Sequence, residues 1–328
     1  MIISRTPFRV SFFGGGTDFT EFFGEHGGST LLTTINKYCY ISIHRLSPFF
    51  KHRFRASYAR TETVQDPREF AHPLIRECLL QFPPAEGLEI SHVSDLPGRT
   101  GLGTSSSFTV GLLNALHTFS GTRVTPEDLA REAILIERQR VGDTGGHQDQ
   151  YAAAYGGFIR VNFLRDGRVD VRRMAICHQR ISEMEKHVLM FYMGTEQSAE
   201  TVLHEQRQRV KKNHDALVEM LRMVDEAEAL VTGSSDILGF GELLHRSWEF
   251  KKTLSGGISN SQIDQAYETA RKAGAIGGKL LGAGGRGFLL LFARPEAHEA
   301  IRSGLSSLME VRFQFGQEGS RIIFQAPE

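Results

Sequence analysis

Three glycine-rich segments, Gly14-Gly15-Gly16, Gly98 to Gly103 and Gly277 to Gly287, lie far apart in the chain, each beside a change in local pattern. Glycine, with no Cβ, lets a backbone turn tightly or approach another backbone closely, so any fold for this chain must place three such turns. Strands expected over 1–13 and 37–46 bracket the first. In the second of them Tyr38, Tyr40, Ser42 and His44 alternate with Cys39, Ile41 and Ile43, the period of a half-buried strand. The second glycine segment runs into an expected buried helix over 108–119, with Val110, Leu112, Leu113 and Leu116 as its apolar spacing. The third feeds a strand over 288–293.

Between these segments, Thr125-Pro126-Glu127-Asp128 supplies a cap, a proline at the first helical position and acids in the first turn, predicting a helix over 126–141. Residues 187–192 read as a buried strand. Helical patterning follows over 198–212, 214–231, 241–253 and 260–273. Arg165-Asp166-Gly167-Arg168 marks the boundary expected near residue 170, which divides the chain into 1–170 and 171–328. No long repeat or low-complexity linker separates the two parts, so tightly packed lobes are expected.

The segment from Leu96 to Ser107 has the makings of an anion site. Successive backbone N–H groups in a glycine turn can converge on phosphate oxygens, the following helix N-terminus adds partial positive charge, and Thr104, Ser105, Ser106 and Ser107 bring hydroxyls. Taken alone, it is also an ordinary tight loop with a Ser/Thr cap. Neither G-x-x-x-x-G-K-[ST] nor G-x-G-x-x-G after a strand is present, which disfavours the two commonest nucleotide folds.

The residues themselves resemble a known family. Pro97-Gly98-Arg99-Thr100-Gly101-Leu102-Gly103-Thr104-Ser105-Ser106 is similar to the P-x-x-x-G-L-G-S-S loop of GHMP kinases. Thr6-Pro7-Phe8-Arg9-Val10 through Gly14-Gly15-Gly16-Thr17-Asp18 looks like the family's N-terminal sugar-binding segment, and Lys279 through Phe288 like its C-terminal glycine motif. Three motifs in the right order are far more specific than one. The resemblance implies an α+β, two-lobed GHMP kinase fold: an N-terminal lobe like domain 2 of ribosomal protein S5, a ferredoxin-like C-terminal α/β lobe, and the active site in the cleft between. It also implies ATP and Mg²⁺ as cofactors, with Pro97 to Ser106 as the nucleotide loop.

Roles carry over residue by residue. Asp149, in Gly145-Gly146-His147-Gln148-Asp149-Gln150, matches the aspartate that faces the attacking hydroxyl and would be the catalytic base; an Asp capping a turn would look the same. Arg9 matches the basic neighbour of that aspartate, Glu137 with Ser105 the magnesium ligands, and Gly15, Gly16, Thr17, Asp18, Gly146, Gln148, Gly284 and Gly285 the substrate cradle. Glu137 stands twelve positions before Asp149 on the expected helix, with Glu132 as the competing acid and a solvated helix face as the alternative for both. Arg286 departs from the family's usual small residue.

Within the family, Gly14 to Asp18 resembles the G-G-G-T-D form of D-glycero-D-manno-heptose 7-phosphate kinases rather than the G-E-H-x-D form of galactokinases. This implies phosphorylation of the anomeric C1 hydroxyl to give a 1,7-bisphosphate. A fucokinase-like or other free-sugar 1-kinase and a catalytically silent sugar-sensing regulator remain open, though intact Arg9, Glu137 and Asp149 argue against the regulator; the sugar-type Gly16-Thr17-Asp18 and Gln148-Asp149-Gln150 segments disfavour an ATP-dependent decarboxylase of the same superfamily. Lys51, His52, Arg53 and Arg55, and separately Arg99, are candidates for a second phosphate, though a solvated loop explains the run equally well.

Composition narrows the class. Lys+Arg at 38 balances Asp+Glu at 38, so no global field draws the chain to nucleic acid or an anionic membrane, and phosphate recognition must be local. MIISRTPFRV lacks a signal peptide's basic head and apolar run, and no stretch of about 18 apolar residues occurs, so a cytoplasmic protein is expected. Cys39, Cys78 and Cys177 fit neither a disulfide framework nor a metal site, and the 13 histidines show no zinc motif. Helices over 198–231 would serve a homodimer surface or a lobe core equally.

Overall fold

The computed structural model describes residues 1–82, 86–98, 100–194 and 199–326. The first lobe contains β1 (Ile2–Phe13), α1 (Thr20–His26), β2 (Gly28–Arg45), β3 (Phe54–Ser57), β4 (Thr61–Val64), α2 (Pro73–Gln81), β5 (Leu88–Ser94), α3 (Thr104–Phe119), α4 (Pro126–Ile134), α5 (Gln148–Tyr155), β6 (Phe158–Phe163) and β7 (Val169–Arg173). The rest follows as α6 (His178–His187), β8 (Val188–Tyr192), α7 (Ala199–Gln208), α8 (His214–Thr232), α9 (Leu238–Thr253), α10 (Ser261–Lys272), β9 (Ala275–Leu280), β10 (Phe288–Ala293), α11 (His298–Gly304), β11 (Met309–Glu310) and β12 (Arg321–Gln325). Residue 198, where the helical pattern of 198–212 begins, lies outside the described residues.

Strand β2 organises the larger sheet. Along one edge it pairs with β1; along the other its first half pairs with β6 and its second with β5, giving the path β12-β1-β2-β5-β3-β4 with β6 and β7 attached. The expected strand at 37–46 is only the second half of this element. Residues 28–35 are buried on both faces, polar Thr30, Thr33 and Thr34 included, so no in–out alternation marks them.

Helix α3 lies against β1 and β2 and is buried from Ser106 to His117. Gly111 lets it approach: a Cβ there would lie 2.8 Å from Thr6 Oγ1. Ser4 Oγ donates to Gly111 O at 2.8 Å and Ser107 Oγ to Pro7 O at 2.8 Å, which fixes the first half of α3 over the first half of β1.

The second sheet is antiparallel in the order β11-β8-β10-β9. Its helices join it to the first lobe through aromatic contacts: Phe12 and Phe13 of β1 each meet the Phe240 ring edge-on at 5.2 Å, and Phe240 lies 5.8 Å from Phe292. These side chains are fully buried, each worth about 1.5–3 kcal/mol of transfer free energy. The boundary expected near residue 170 needs correction. It falls inside β7, which pairs with β6, and β12 returns from the end of the chain to pair with β1, so the larger sheet takes strands from both sides of that division. A terminal strand that pairs across lobes leaves no composition shift to read.

Candidate active site

A cleft of about 410 Å³ opens between the lobes, and the three glycine segments meet around it. On the first-lobe wall, Arg9 near the middle of β1 meets Asp149 in the first turn of α5: Nε and Nη2 donate to the two carboxylate oxygens, each at 2.8 Å. Arg9 Nη1 also donates to Gly101 O at 2.5 Å, and Leu102 O accepts from the Arg9 backbone N–H at 3.0 Å, so the second glycine turn is tied to the same arginine. The Asp149 side chain keeps 21% exposure, against 6% for Arg9, so its carboxylate is held yet reachable from the cleft.

Glycine at 103 is required here. Its φ of +72° lies in the left-handed region, and a Cβ would stand 3.1 Å from Arg9 Cγ and 3.5 Å from Asp149 Cγ. From that turn α3 begins, presenting Thr104, Ser105 and Ser106 to the cleft. Pro97, Gly98, Thr100 and Leu102 of the same segment do not line it; Thr100 Oγ1 instead donates to Pro97 O at 2.9 Å, closing the turn. Arg99 lies outside the described residues.

Asp18 is buried, accepts from Gly16 N–H at 2.9 Å and Gln148 N–H at 3.2 Å, and borders the cleft with Gly15, Gly16, Gly146 and Gln148. Burial raises its pKa, against the two N–H bonds that favour the carboxylate, and the charge of Asp149 raises it further. Ser11 Oγ donates to Gln148 Oε1 at 2.6 Å. Thr17 turns away, its hydroxyl donating to Gly14 O and Ser29 O at 2.7 and 3.0 Å.

Glu137 sits in a π-type turn, Leu135–Arg140, that continues α4. It is buried, and burial raises its pKa while Arg138 opposes the shift. Its Oε2 accepts from Ser106 Oγ at 2.9 Å and Gln150 Nε2 at 2.6 Å, whereas Oε1 has no hydrogen-bond partner among the described residues. Ser105, the residue expected beside Glu137, is the exposed hydroxyl of this turn, and Ser106 the bonded one. Glu132 faces elsewhere, 2.9 Å from His117 Nε2.

The second-lobe wall carries groups that the sequence did not single out. Lys251 of α9 donates to Leu280 O at 3.0 Å and Gly282 O at 2.5 Å, and Lys279 of β9 to Phe12 O at 2.7 Å. Both are buried and border the cleft. Lys251 looks from sequence like one of a pair of solvated lysines in a helix's last turn; Lys279 opens the third glycine motif, the one signal that could have flagged it. Gln206 of α7 donates to Ala283 O at 2.8 Å over the same loop. Gly282, Ala283 and Arg286 border the cleft, but Gly284 and Gly285 do not: a Cβ on Gly284 would lie 2.5 Å from Ile258 Cα, and Gly285 N–H donates to Ile258 O at 2.9 Å. Lys51, His52, Arg53 and Arg55 also stand apart from it, with Arg55 paired to Glu89.

Comparison with known proteins identifies this arrangement. Residues 69–157 match the GHMP kinases N terminal domain and residues 223–311 the GHMP kinases C terminal domain. The chain belongs to the GHMP kinase family. This GHMP kinase is 29% identical over 336 residues to the D-glycero-alpha-D-manno-heptose 7-phosphate kinase of Campylobacter jejuni subsp. jejuni, covering 97% of each chain. It is also 29% identical to a bifunctional fucokinase/GDP-fucose pyrophosphorylase of Arabidopsis thaliana, over 71% of this chain and 23% of that protein. The crystal structure of a D-glycero-D-manno-heptose 1-phosphate kinase from Bacteroides thetaiotaomicron superposes over 100% of both chains, with a TM-score of 0.73 and 24% identity, a likeness of fold. As a GHMP kinase the chain is an ATP-dependent phosphotransferase with an alcohol group as acceptor. Among the described residues no helix is long and apolar enough to cross a membrane.

Proposed function

We propose that this kinase transfers the γ-phosphoryl group of ATP to the anomeric C1 hydroxyl of D-glycero-D-manno-heptose 7-phosphate, giving the 1,7-bisphosphate. The observation that carries the reading is the Arg9–Asp149 pair beside the Asp18, Gly16 and Gln148 cradle, a carboxylate base next to a site built for hydroxyls. The Campylobacter relative of equal length supports the choice of sugar.

In this reading the acceptor's hydroxyls bond Asp18 and Gln148 while its C1 hydroxyl faces Asp149. As the hydroxyl oxygen bonds the γ-phosphorus, its proton passes to Asp149 and ADP leaves with the electrons of the broken P–O bond. Arg9 keeps Asp149 oriented, and its charge opposes the negative charge gathering on the phosphoryl oxygens. Backbone N–H groups at Gly103 to Ser106 and the N-terminus of α3 receive the nucleotide phosphates.

Magnesium fits the residues present. Glu137 is a buried carboxylate with one oxygen uncommitted among the described residues, and hydroxyls stand close by on the first turn of α3. Bound there with Ser105, the ion would neutralise charge on the nucleotide phosphates.

The test is a panel of D-glycero-D-manno-heptose 7-phosphate, mannose, mannose 6-phosphate, fucose and galactose with Mg·ATP, following ADP and phosphorylated sugar, with Asp149→Ala as control. Bisphosphate formed from the heptose phosphate and lost in the variant supports the proposal. Turnover of a free sugar alone moves the function to a free-sugar 1-kinase, the reading that the fucokinase match favours.

A further inference from the structure

Lys251 and Lys279 are buried lysines whose hydrogen bonds, among the described residues, all go to carbonyl oxygens, with the Trp248 ring 6.0 Å from Lys251 Nζ. Among the described residues neither forms an ion pair: Lys251 bonds Leu280 O and Gly282 O, Lys279 bonds Phe12 O, and both border the cleft. Buried ammonium groups ordinarily meet an anion, because carbonyl dipoles only partly replace lost hydration. The nearby charges make matters worse: Arg9 from β1 repels Lys251, and Lys251 and Arg9 both repel Lys279. Lys252, next to Lys251 on α9, is engaged with Glu249 at 2.8 Å. Arg9 spends its own charge on Asp149.

We infer that Lys251 and Lys279 form a second anion subsite, on the second-lobe wall, that receives phosphoryl oxygens. The donor count supports this. A neutral Lys251 amine has two N–H groups, matching the two carbonyls it bonds; the third, gained on protonation, is left for a ligand. Burial, then the charge of Arg9, lowers the Lys251 pKa to about 7, and burial with the charges of Lys251 and Arg9 holds that of Lys279 below its usual range, so an incoming phosphate would draw in protons at pH 7.5. Lys251 reaches the cleft from the wall opposite the N-terminus of α3, bonded to Gly282, whose backbone packs on Gly101.

Two sources carry the same chemistry: the phosphate ester already on the acceptor, and the phosphoryl group in transit from ATP. Only the first rests on the function proposed above. Titration calorimetry at pH 7.5 in buffers of different ionisation enthalpy measures protons taken up when the full chain binds heptose 7-phosphate, mannose 6-phosphate, mannose, or Mg²⁺ with an imido analogue of ATP.

For an acceptor-phosphate site, the sugar phosphates bind with uptake of a fraction of a proton, mannose without it, and Lys251→Met raises KM for the phosphorylated acceptor at least tenfold. For a transit site, the nucleotide analogue shows the uptake, and the variant lowers kcat at least tenfold with acceptor KM unchanged. In both cases Lys251→Arg restores binding with less proton uptake than wild type, because its guanidinium is already charged and only Lys279 is left to take up a proton. The inference falls if wild-type proton uptake is nil for every phosphorylated ligand, or if Lys251→Arg takes up as many protons as wild type. These readouts decide the matter even where Lys251→Met fails to fold. Turnover of free sugars alone would sink the proposed substrate and leave the nucleotide arm intact.

Discussion

Arg9 holds both oxygens of Asp149 at 2.8 Å and, through its remaining nitrogen, the carbonyl of Gly101, so one side chain aligns the proposed base with the nucleotide turn. Lysine cannot reproduce three directed contacts from a planar fork. Arg9→Lys is expected to lower kcat by about 10²-fold, within the usual range for misplacing a catalytic group. Asp149→Asn, which removes the proton acceptor, should cost about 10²–10⁴-fold. ADP-release kinetics check both, and a thermal melt within a few degrees of wild type would separate a catalytic loss from an unfolding one.

Gly101 and Gly282 press their backbones together across the lobes. A Cβ on Gly282 would lie 2.3 Å from Gly101 Cα, and Gly282 has a φ of +79°. Gly282→Ala therefore meets both an overlap and a strained backbone and should destabilise by about 1–3 kcal/mol or more, with a raised KM for ATP. Gly98→Ala is the contrasting change: a Cβ there meets nothing within 4 Å, and the expected effect is within about 0.5 kcal/mol. Urea denaturation midpoints compare the two.

Adjacent serines should behave differently. Ser106 Oγ donates to buried Glu137, so Ser106→Ala leaves that carboxylate with one fewer donor and should cost about 1–3 kcal/mol of stability. Ser105 is exposed at the cleft, and Ser105→Ala should leave the melting temperature unchanged while raising the magnesium concentration needed for half-maximal rate. Equal stability losses in the two variants would contradict this division of roles.

Much of the cleft was readable because its parts are local. A glycine turn feeding a helix, a capped helix carrying Glu137, and a short Gly-Gly-His-Gln-Asp run each keep their residues within one stretch of chain. What escaped reading depends on neighbours from elsewhere. The π-type turn at Leu135–Arg140 continues the apolar pattern of α4, and β12 is defined by its pairing with β1 over 300 residues away. Thr17, Gly284 and Gly285 sit in legible motifs, yet they serve the turns themselves: Thr17 ties Gly14 to Ser29, and Gly284 packs on Ile258. A motif marks a tight backbone; which of its residues face the ligand is decided by the opposite wall.

Lys251 gives that wall a pH signature in the ligand-free protein. Its folded pKa is about 7 against 10.5 for the ordinary lysine, so above pH 7 the unfolded chain binds a proton that the folded chain has released. The sign follows: a depressed folded pKa contributes stability that is complete above about 10.5 and is lost as pH falls towards 7, below which the slope from this group vanishes. Lys251→Met removes the contribution but also deprives Leu280 O and Gly282 O of their donor, so the comparison must be made by slope. Between pH 7 and 10 wild-type stability should rise more steeply, or fall less steeply, than that of the variant. Urea unfolding of both proteins at half-unit pH intervals measures this difference. Parallel curves would mean that Lys251 keeps its proton in the folded state, with the two carbonyls and the open cleft solvating it.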